Sequence, residues 1–283
     1  MNIAVLSGKG GTGKTLLSVN LSYLADNSVY VDCDVEEPNG LLYYKIDDLK
    51  EEPVFTKIPV INHDLCDGCR ICTDFCKFNA LAYIKGKVKV YTDLCHSCGG
   101  CKLVCPQNAI TEVDNSLGLV KSGIYEGTYV FSGELKVGEQ TGVPIIDKLL
   151  DEASKLNKTV FIDAPPGNGC PVMESISDAD YCILVAEPSI FGLHNLNMVY
   201  NLAKVFKKKI GLVINKFTGD PIIHNFAKEN SIEIIGEIPM DFELGKLNSE
   251  GEIVSKYPKY KELFSNILKN IYKEVNWWNN YLF

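Results

Sequence analysis

Apolar positions along the chain recur with two different periods. Short aliphatic and β-branched runs occur at Asn2 to Leu6, Val29 to Asp32, Val160 to Asp163, Tyr181 to Ala186, Ile210 to Asn215 and Ile234 to Ile238. Between several of them lie stretches of helical period: Lys14 to Asp26, Leu193 to Lys208 and Pro221 to Asn230. Strands alternating with helices predict an α/β domain with a mainly parallel sheet. Ser122 to Gly142, rich in Gly and Tyr, reads as turns and short strands leading back to that sheet. Near the end, Tyr260, Leu263, Phe264, Ile267, Leu268 and Ile271 fall at helical spacing, followed by Trp277, Trp278, Tyr281 and Phe283. This stripe predicts a helix packed on the sheet, because its basic excess is small. A membrane contact through an amphipathic helix is the alternative.

One stretch breaks the pattern. Eight of the 11 cysteines lie between Cys66 and Cys105, in a repeat offset by 29 residues. The offset carries Asp64-Leu65-Cys66 onto Asp93-Leu94-Cys95, and Cys69, Cys72 and Cys76 onto Cys98, Cys101 and Cys105. Asn79-Ala80 falls on Asn108-Ala109, and the strand-like Lys87 to Thr92 separates the halves. The repeat predicts a pseudo-symmetric insert over residues 59–111, between a first part at 1–58 and a second at 112–283. The chain enters it after Pro53 and leaves it near Glu112. So small a module cannot build its own apolar core, so bound metal must supply much of its folding energy.

Composition narrows the function classes. A chain of 283 residues with 46% hydrophobic and 23% charged residues is globular, with about two domains expected. A net charge of −8 argues against nucleic acid as a partner. No apolar run reaches the length of a membrane span, and Met1 to Leu6 runs straight into a strand without a signal-peptide pattern. The expected location is cytoplasmic, where cysteines serve as metal ligands more readily than as disulfides.

Residues 8–15 read Gly8-Lys9-Gly10-Gly11-Thr12-Gly13-Lys14-Thr15, between an apolar strand and a helical segment. That context makes the run a P-loop: backbone N–H groups and the helix N-terminus hold phosphate, Lys14 reaches the β/γ phosphates, and the Thr15 hydroxyl ligates Mg²⁺. The additional Lys9 makes the loop resemble the deviant Walker A of the MinD/Mrp/nitrogenase iron protein ATPases. The resemblance implies an ATP-dependent homodimer in which Lys9 reaches the partner's nucleotide. It places the water-orienting switch I aspartate at Asp34 in Val31-Asp32-Cys33-Asp34, with Asp32 the alternative or a strand-end cap. Asp163, before Ala164-Pro165-Pro166-Gly167, then resembles the Walker B aspartate that holds Mg²⁺ through water. Lys9, Lys14, Asp34 and Asp163 are the expected catalytic set. Asn215 falls where this family contacts the purine, with a turn residue as the alternative, and Pro239 to Asp241 resembles the loop lining the base.

Each cysteine quartet has CxxCxxCxxxC spacing, Cys66-Cys69-Cys72-Cys76 and Cys95-Cys98-Cys101-Cys105, the second followed by Pro106. This resembles bacterial-type ferredoxins with two [4Fe-4S] clusters, in which the distant fourth cysteine ligates the other cluster. The resemblance implies one site from Cys66, Cys69, Cys72 and Cys105 and another from Cys95, Cys98, Cys101 and Cys76. Zinc is the alternative for CxxC pairs. Lys77, where the family has proline, puts the local turn in doubt. Cys33 and Cys182 read as core residues. Cys170, seven positions after Asp163, resembles the switch II cysteine of the nitrogenase iron protein, and reads as an intersubunit ligand, a transient thiolate acceptor or a buried loop thiol. His194 reads as a helix-start polar residue, with a proton carrier or ligand as the alternative, and Lys207 to Lys209 as cations at a helix C-terminus.

Together these readings imply an ATPase that couples ATP/ADP state and Mg²⁺ to electron transfer, or to assembly and delivery of iron-sulfur or metal cofactors to a protein acceptor. The alternatives are a MinD-like positioning or scaffold ATPase with structural or sensing clusters, and a ferredoxin with a vestigial nucleotide domain.

Overall fold

The structure is a computed structural model that describes residues 1–279, with side chains through residue 275. The chain forms β1 (Asn2–Leu6), α1 (Lys14–Leu24), β2 (Ser28–Asp32) and β3 (Lys50–Ile61), then α2 (Ile71–Phe75), β4 (Leu81–Ile84), β5 (Lys87–Val90) and α3 (Gly100–Leu103). It continues through β6 (Ile110–Tyr125), β7 (Thr128–Leu135), α4 (Val143–Ser154), β8 (Thr159–Asp163), α5 (Cys170–Ile176), β9 (Tyr181–Ala186) and α6 (Ile190–Val205). The last elements are β10 (Lys209–Phe217), α7 (Ile222–Glu229), β11 (Glu233–Pro239), α8 (Phe242–Ser249) and α9 (Pro258–Asn279).

Nine strands make one sheet in the order β11-β10-β9-β1-β8-β2-β7-β6-β3. Pairings from β11 across to β7 are parallel, and β6 joins β7 and β3 antiparallel at one edge. The central parallel strands β1, β8 and β9 are almost wholly apolar because helices cover both faces. On one face α4, α5, α6 and α7 enclose Ile145, Leu149, Val172, Leu196 and Ile223. On the other, α1 and α9 enclose Leu17, Leu21, Phe264, Ile267 and Ile271. The apolar stripe of α9 is thus spent on the sheet. The side chains of Trp277 and Trp278, and all of Tyr281 and Phe283, lie outside the described residues. Among the described residues no helix is long and apolar enough to cross a membrane.

The stretch expected to be turns and short strands, Ser122 to Gly142, is instead the end of the 16-residue β6, the whole of β7 and the lead into α4. Two of its glycines lie inside strands for a packing reason: a Cβ on Gly133 would stand 2.6 Å from Val35 and 2.7 Å from Ile145, and one on Gly123 would stand 2.8 Å from Ile46. The two-residue turn Glu126-Gly127, with φ of 45° and 92°, closes the β6–β7 hairpin.

β3 and β6 pair over their full shared length, from Lys50↔Ser122 to Ile61↔Ile110, and run without a break across positions 59 and 111. They form an arm joining the sheet to the cysteine-rich segment. Pro53 and Pro59 are accommodated because β3 is the edge strand, where a missing N–H costs no ladder bond. At the tip, the β4–β5 hairpin and the short helices α2 and α3 enclose Cys72, Leu81, Val88, Cys101 and Ile110.

Candidate functional site

The C-terminal ends of β1, β8, β2, β9 and β10 converge, as the switch point of a parallel sheet requires. From β1 the chain turns through Gly11 (φ 73°) and Gly13 (φ 105°) into α1. Its carbonyls are held from behind. Ser7 Oγ and Thr12 Oγ1 donate to Lys9 O at 2.7 and 3.1 Å, Lys216 Nζ donates to Gly11 O at 3.0 Å, and Asn215 Nδ2 donates to Thr12 O at 2.7 Å. In a trans peptide N–H opposes C=O, so carbonyls fixed outward leave N–H groups facing inward as an anion nest. A Cβ at Gly13 would stand 2.1 Å from Asn215 Nδ2.

Two carboxylates, Asp34 and Asp163, act on Lys14, and a third, Asp32, stands beside Asp163. Asp32 and Asp163 are cross-strand neighbours and both are buried. Asp32 accepts from the backbone N–H of Asp34 at 3.1 Å and of Gly40 at 2.8 Å, so it caps the strand and ties down the loop. Burial pushes its pKa well up, and Asp163 adds to this. Asp163 is also raised by burial, against opposition from Lys14 and the hydroxyls of Thr15, Tyr30 and Ser18. Tyr30 donates to Asp163 Oδ2 at 3.1 Å, while Asp163 Oδ1 is buried without a partner. An orphaned carboxylate oxygen near the Thr15 hydroxyl is the donor chemistry a hydrated Mg²⁺ takes. Asp34 stands 3.8 Å from Lys14 Nζ. Burial pushes it up to about 6, against Lys14 and with Asp163, Glu37 and Glu36.

A cavity of about 450 Å³ opens beside the loop, between Gly11 to Leu16, the Asn39–Tyr43 segment and Asn248 to Gly251. Tyr43 donates to Asn248 Oδ1 at 2.9 Å across its wall. Nothing local in the sequence marks Tyr43 or Asn248, which are far apart in the chain. Asn215 and Pro239 do not line this cavity; the Asn215 amide is engaged on the P-loop, and its Oδ1 accepts the N–H of Lys216. Lys9 is bound within its own chain, to Glu187 at 2.9 Å. Gly167 of the segment after Asp163 donates to Ser7 O at 2.9 Å. Cys170 is exposed at the start of α5, whereas Cys33 and Cys182 are buried; burial pushes Cys182 up to about 12. His194 is exposed within α6.

In the cysteine-rich segment the backbone itself repeats. Left-handed residues Gly68, Arg70 and Asn79 (φ 76°, 66° and 55°) recur 29 positions later as Ser97, Gly99 and Asn108 (53°, 68° and 50°). The turn after each fourth cysteine is the same, Asn79 N to Cys76 O at 3.3 Å and Asn108 N to Cys105 O at 3.2 Å, so Lys77 keeps it without proline. The thiols group across the halves. Burial pushes Cys72 up, and neighbouring Cys105, Cys66 and Cys69 push the same way. Burial likewise raises Cys95, with Cys98 and Cys76 adding to it, and takes Cys101 to about 11, with Cys95, Cys98 and Cys72 adding. Cys76, Cys95, Cys98 and Cys101 line one cavity of about 390 Å³. Ser97 N–H donates to Cys95 Sγ at 3.4 Å and Ala109 N–H to Cys105 Sγ at 3.3 Å. Among the described residues no three His, Cys, Asp or Glu side chains converge where one metal ion would sit.

Comparison with known proteins gives a family and a fold. Residues 3–254 match the family described as CobQ/CobB/MinD/ParA nucleotide binding domain. The uncharacterized protein MJ0578 of Methanocaldococcus jannaschii is 34% identical over 252 residues, covering 87% of each chain. A shorter likeness, 28% identity over 134 residues, covers 41% of this chain and 46% of the iron-sulfur cluster carrier protein of the same organism. Among solved structures, the cell division ATPase MinD of Pyrococcus furiosus superposes with a TM-score of 0.60 at 19% identity, over 96% of this chain and 98% of that one. MinD from Pyrococcus horikoshii, complexed with Mg-ADP, gives 0.58 at 19% identity, with 95% of each chain covered. These structural likenesses show the fold.

Proposed function

This chain belongs to the CobQ/CobB/MinD/ParA nucleotide-binding family, and from that premise we propose that it is a Mg²⁺-dependent ATPase whose nucleotide state governs two [4Fe-4S] clusters held on residues 59–111. The observation that carries the reading is the mixed grouping of the thiols: Cys76 shares a cavity with Cys95, Cys98 and Cys101, while Cys105 neighbours Cys72. A four-iron cube needs thiolates at separate corners around a void, and the fourth from the other half. A single zinc ion would draw its ligands to one point. Backbone N–H groups aimed at Cys95 and Cys105 sulfurs suit thiolates better than thiols. Bound there, the clusters would supply one-electron chemistry at low potential.

The nucleotide half works through its own residues. The nest and Lys14 bind the phosphates, Thr15 and Asp163 hold Mg²⁺, and Asp34 orients the attacking water. Lys9 acts on the nucleotide of a second copy in an ATP-closed dimer. Asn215 braces the P-loop, and reading a purine requires its amide to exchange the Thr12 carbonyl for the base.

Coupling to the arm has two supports. The switch loop is joined to β7 by Leu135 N–H to Val35 O at 2.8 Å, and leads into β3. Asp163 is also connected through packed rings: its partner Tyr30 lies 5.2 Å from Tyr44, and Tyr44 lies 5.7 Å from Tyr125 on β6. A shift at the Mg²⁺ carboxylate thus bears on both strands of the arm. Because each site draws ligands from both halves, releasing a cluster requires opening the whole module, which favours electrons as the payload.

Anaerobic purification with iron and sulfide counts, followed by EPR with and without Mg-ATP, tests the proposal. About eight irons per chain and a nucleotide-dependent spectrum are expected. Absence of iron, or spectra and midpoint potentials indifferent to nucleotide, overturns it. The partial likeness to an iron-sulfur cluster carrier favours a second reading, delivery of the cluster, which ATP-dependent iron transfer to an apo-acceptor would select. The MinD likeness favours a positioning ATPase with structural clusters, which stable nucleotide-blind clusters would select.

A further inference from the structure

Lys9 occupies a defined place in the single chain. Its ammonium donates to Glu187 Oε2 at 2.9 Å, and Lys216 donates to the other oxygen of the same carboxylate at 2.6 Å. Lys216 also donates to Gly11 O at 3.0 Å, so the P-loop, the end of β9 and β10 meet at Glu187. Lys216 adopts φ 57°, a left-handed conformation uncommon for a non-glycine residue. The Glu187 side chain is 15% exposed, against 40% for Lys9 and 45% for Lys216. The carboxylate is therefore a fixed fork: Lys216, tied also to Gly11 O, holds one oxygen, and Lys9 is the exchangeable occupant of the other.

We propose that Glu187 and Lys216 are positioning residues for Lys9: Glu187 parks Lys9 on its own protomer, and Lys216, by neutralising the carboxylate from its other oxygen, sets how readily Lys9 leaves. This rests on the reading that Lys9 acts across an ATP-closed dimer. When Lys9 departs, Lys216 keeps Glu187 paired, so the half-buried carboxylate is not left uncompensated and departure is cheap.

The two positions carry opposite signs. Glu187→Gln removes the anion that retains Lys9 and makes dimerisation easier. Lys216→Met leaves Glu187 to Lys9 alone and makes it harder. A partly exposed pair is worth about threefold in an equilibrium, and each dimer releases two lysines, so the dimer dissociation constant changes about tenfold in each direction.

The test is sedimentation velocity of the full chain with Mg²⁺ and a non-hydrolysable ATP analogue, in wild type, each variant, and each variant combined with Lys9→Ala. Thermal melts of every protein accompany it. Tighter dimers for Glu187→Gln, weaker ones for Lys216→Met, and loss of both effects in the Lys9→Ala background are expected. Effects of the same sign, or effects of equal size in both backgrounds, overturn the inference and mark the cluster as structural. If Lys9→Ala itself leaves ATP-driven association unchanged, the reading of Lys9 as a cross-dimer residue fails instead. If one variant does not fold, the sign of the other and its dependence on Lys9 still decide the matter.

Discussion

Replacing Asp34 by asparagine should make the protein more stable while removing its turnover. Burial and the neighbouring Asp163, Glu37 and Glu36 outweigh Lys14 and raise the Asp34 pKa from its ordinary value to about 6. A carboxyl moved that far is destabilised as an anion by about 3 kcal/mol before screening. The side chain is 20% exposed and Lys14 stands at 3.8 Å, so the expected gain for the Asn variant is about 1–2 kcal/mol, or about 3 °C in Tm. The sign follows from linkage. Above pH 6 the native state carries the strained anion, so the variant is favoured. As pH falls from about 6 toward 4 the native carboxyl takes up its proton while the unfolded one is still ionised, and the advantage shrinks. Anaerobic melts without nucleotide at pH 8 and pH 5 read this directly, and ATPase assays should show at least a 100-fold loss of kcat. A variant no more stable than wild type at pH 8 would mean that attraction to Lys14 outweighs burial, and would refute the reasoning.

If Asp34 orients the attacking water as proposed, it must be ionised to do so, and wild-type kcat/KM for ATP should rise with pH through an inflection near 6, with a flat profile for the Asn variant in that range. Gly13→Ala should abolish nucleotide binding in equilibrium titration, since the new Cβ meets Asn215 at 2.1 Å at a residue with φ 105°. Cys76→Ala and Cys98→Ala should each lose about four of about eight irons, and the double variant no more than either. Cys76→Ala with Cys69→Ala should lose both clusters, an additive loss that contrasts with the non-additive Cys76→Ala/Cys98→Ala pair and that metal analysis checks.

The P-loop was legible in the sequence because its working parts are contiguous: a strand, a glycine-rich turn and a helix start are fixed by neighbouring residues. The cysteine repeat was legible for a related reason. Its 29-residue offset reappears in the backbone as paired left-handed residues, so a local conformational requirement was written twice. The positions of Asp163 and Asp34 at the strand ends were legible because each ends or follows a strand whose apolar run is plain. Gly127 does turn the chain, but Gly133 misled because glycine serves two purposes, turning the chain and admitting a neighbour, and only the packing of Ile145 and Val35 against the sheet distinguishes them.

The amino-acid order alone determined the strand-helix alternation, the phosphate loop and the spacing of the thiols, since each depends on residues within one or two turns of chain. Tertiary structure decided what surrounds them. Glu187 reaches Lys9, Lys216 reaches Glu187, Tyr30 reaches Asp163, and Asn248 reaches Tyr43 only because a parallel sheet gathers strand ends from distant segments. Which thiols share a cavity was likewise fixed by the folding of one half against the other. Local propensity acts over a few residues, whereas burial and charge pairing act through space.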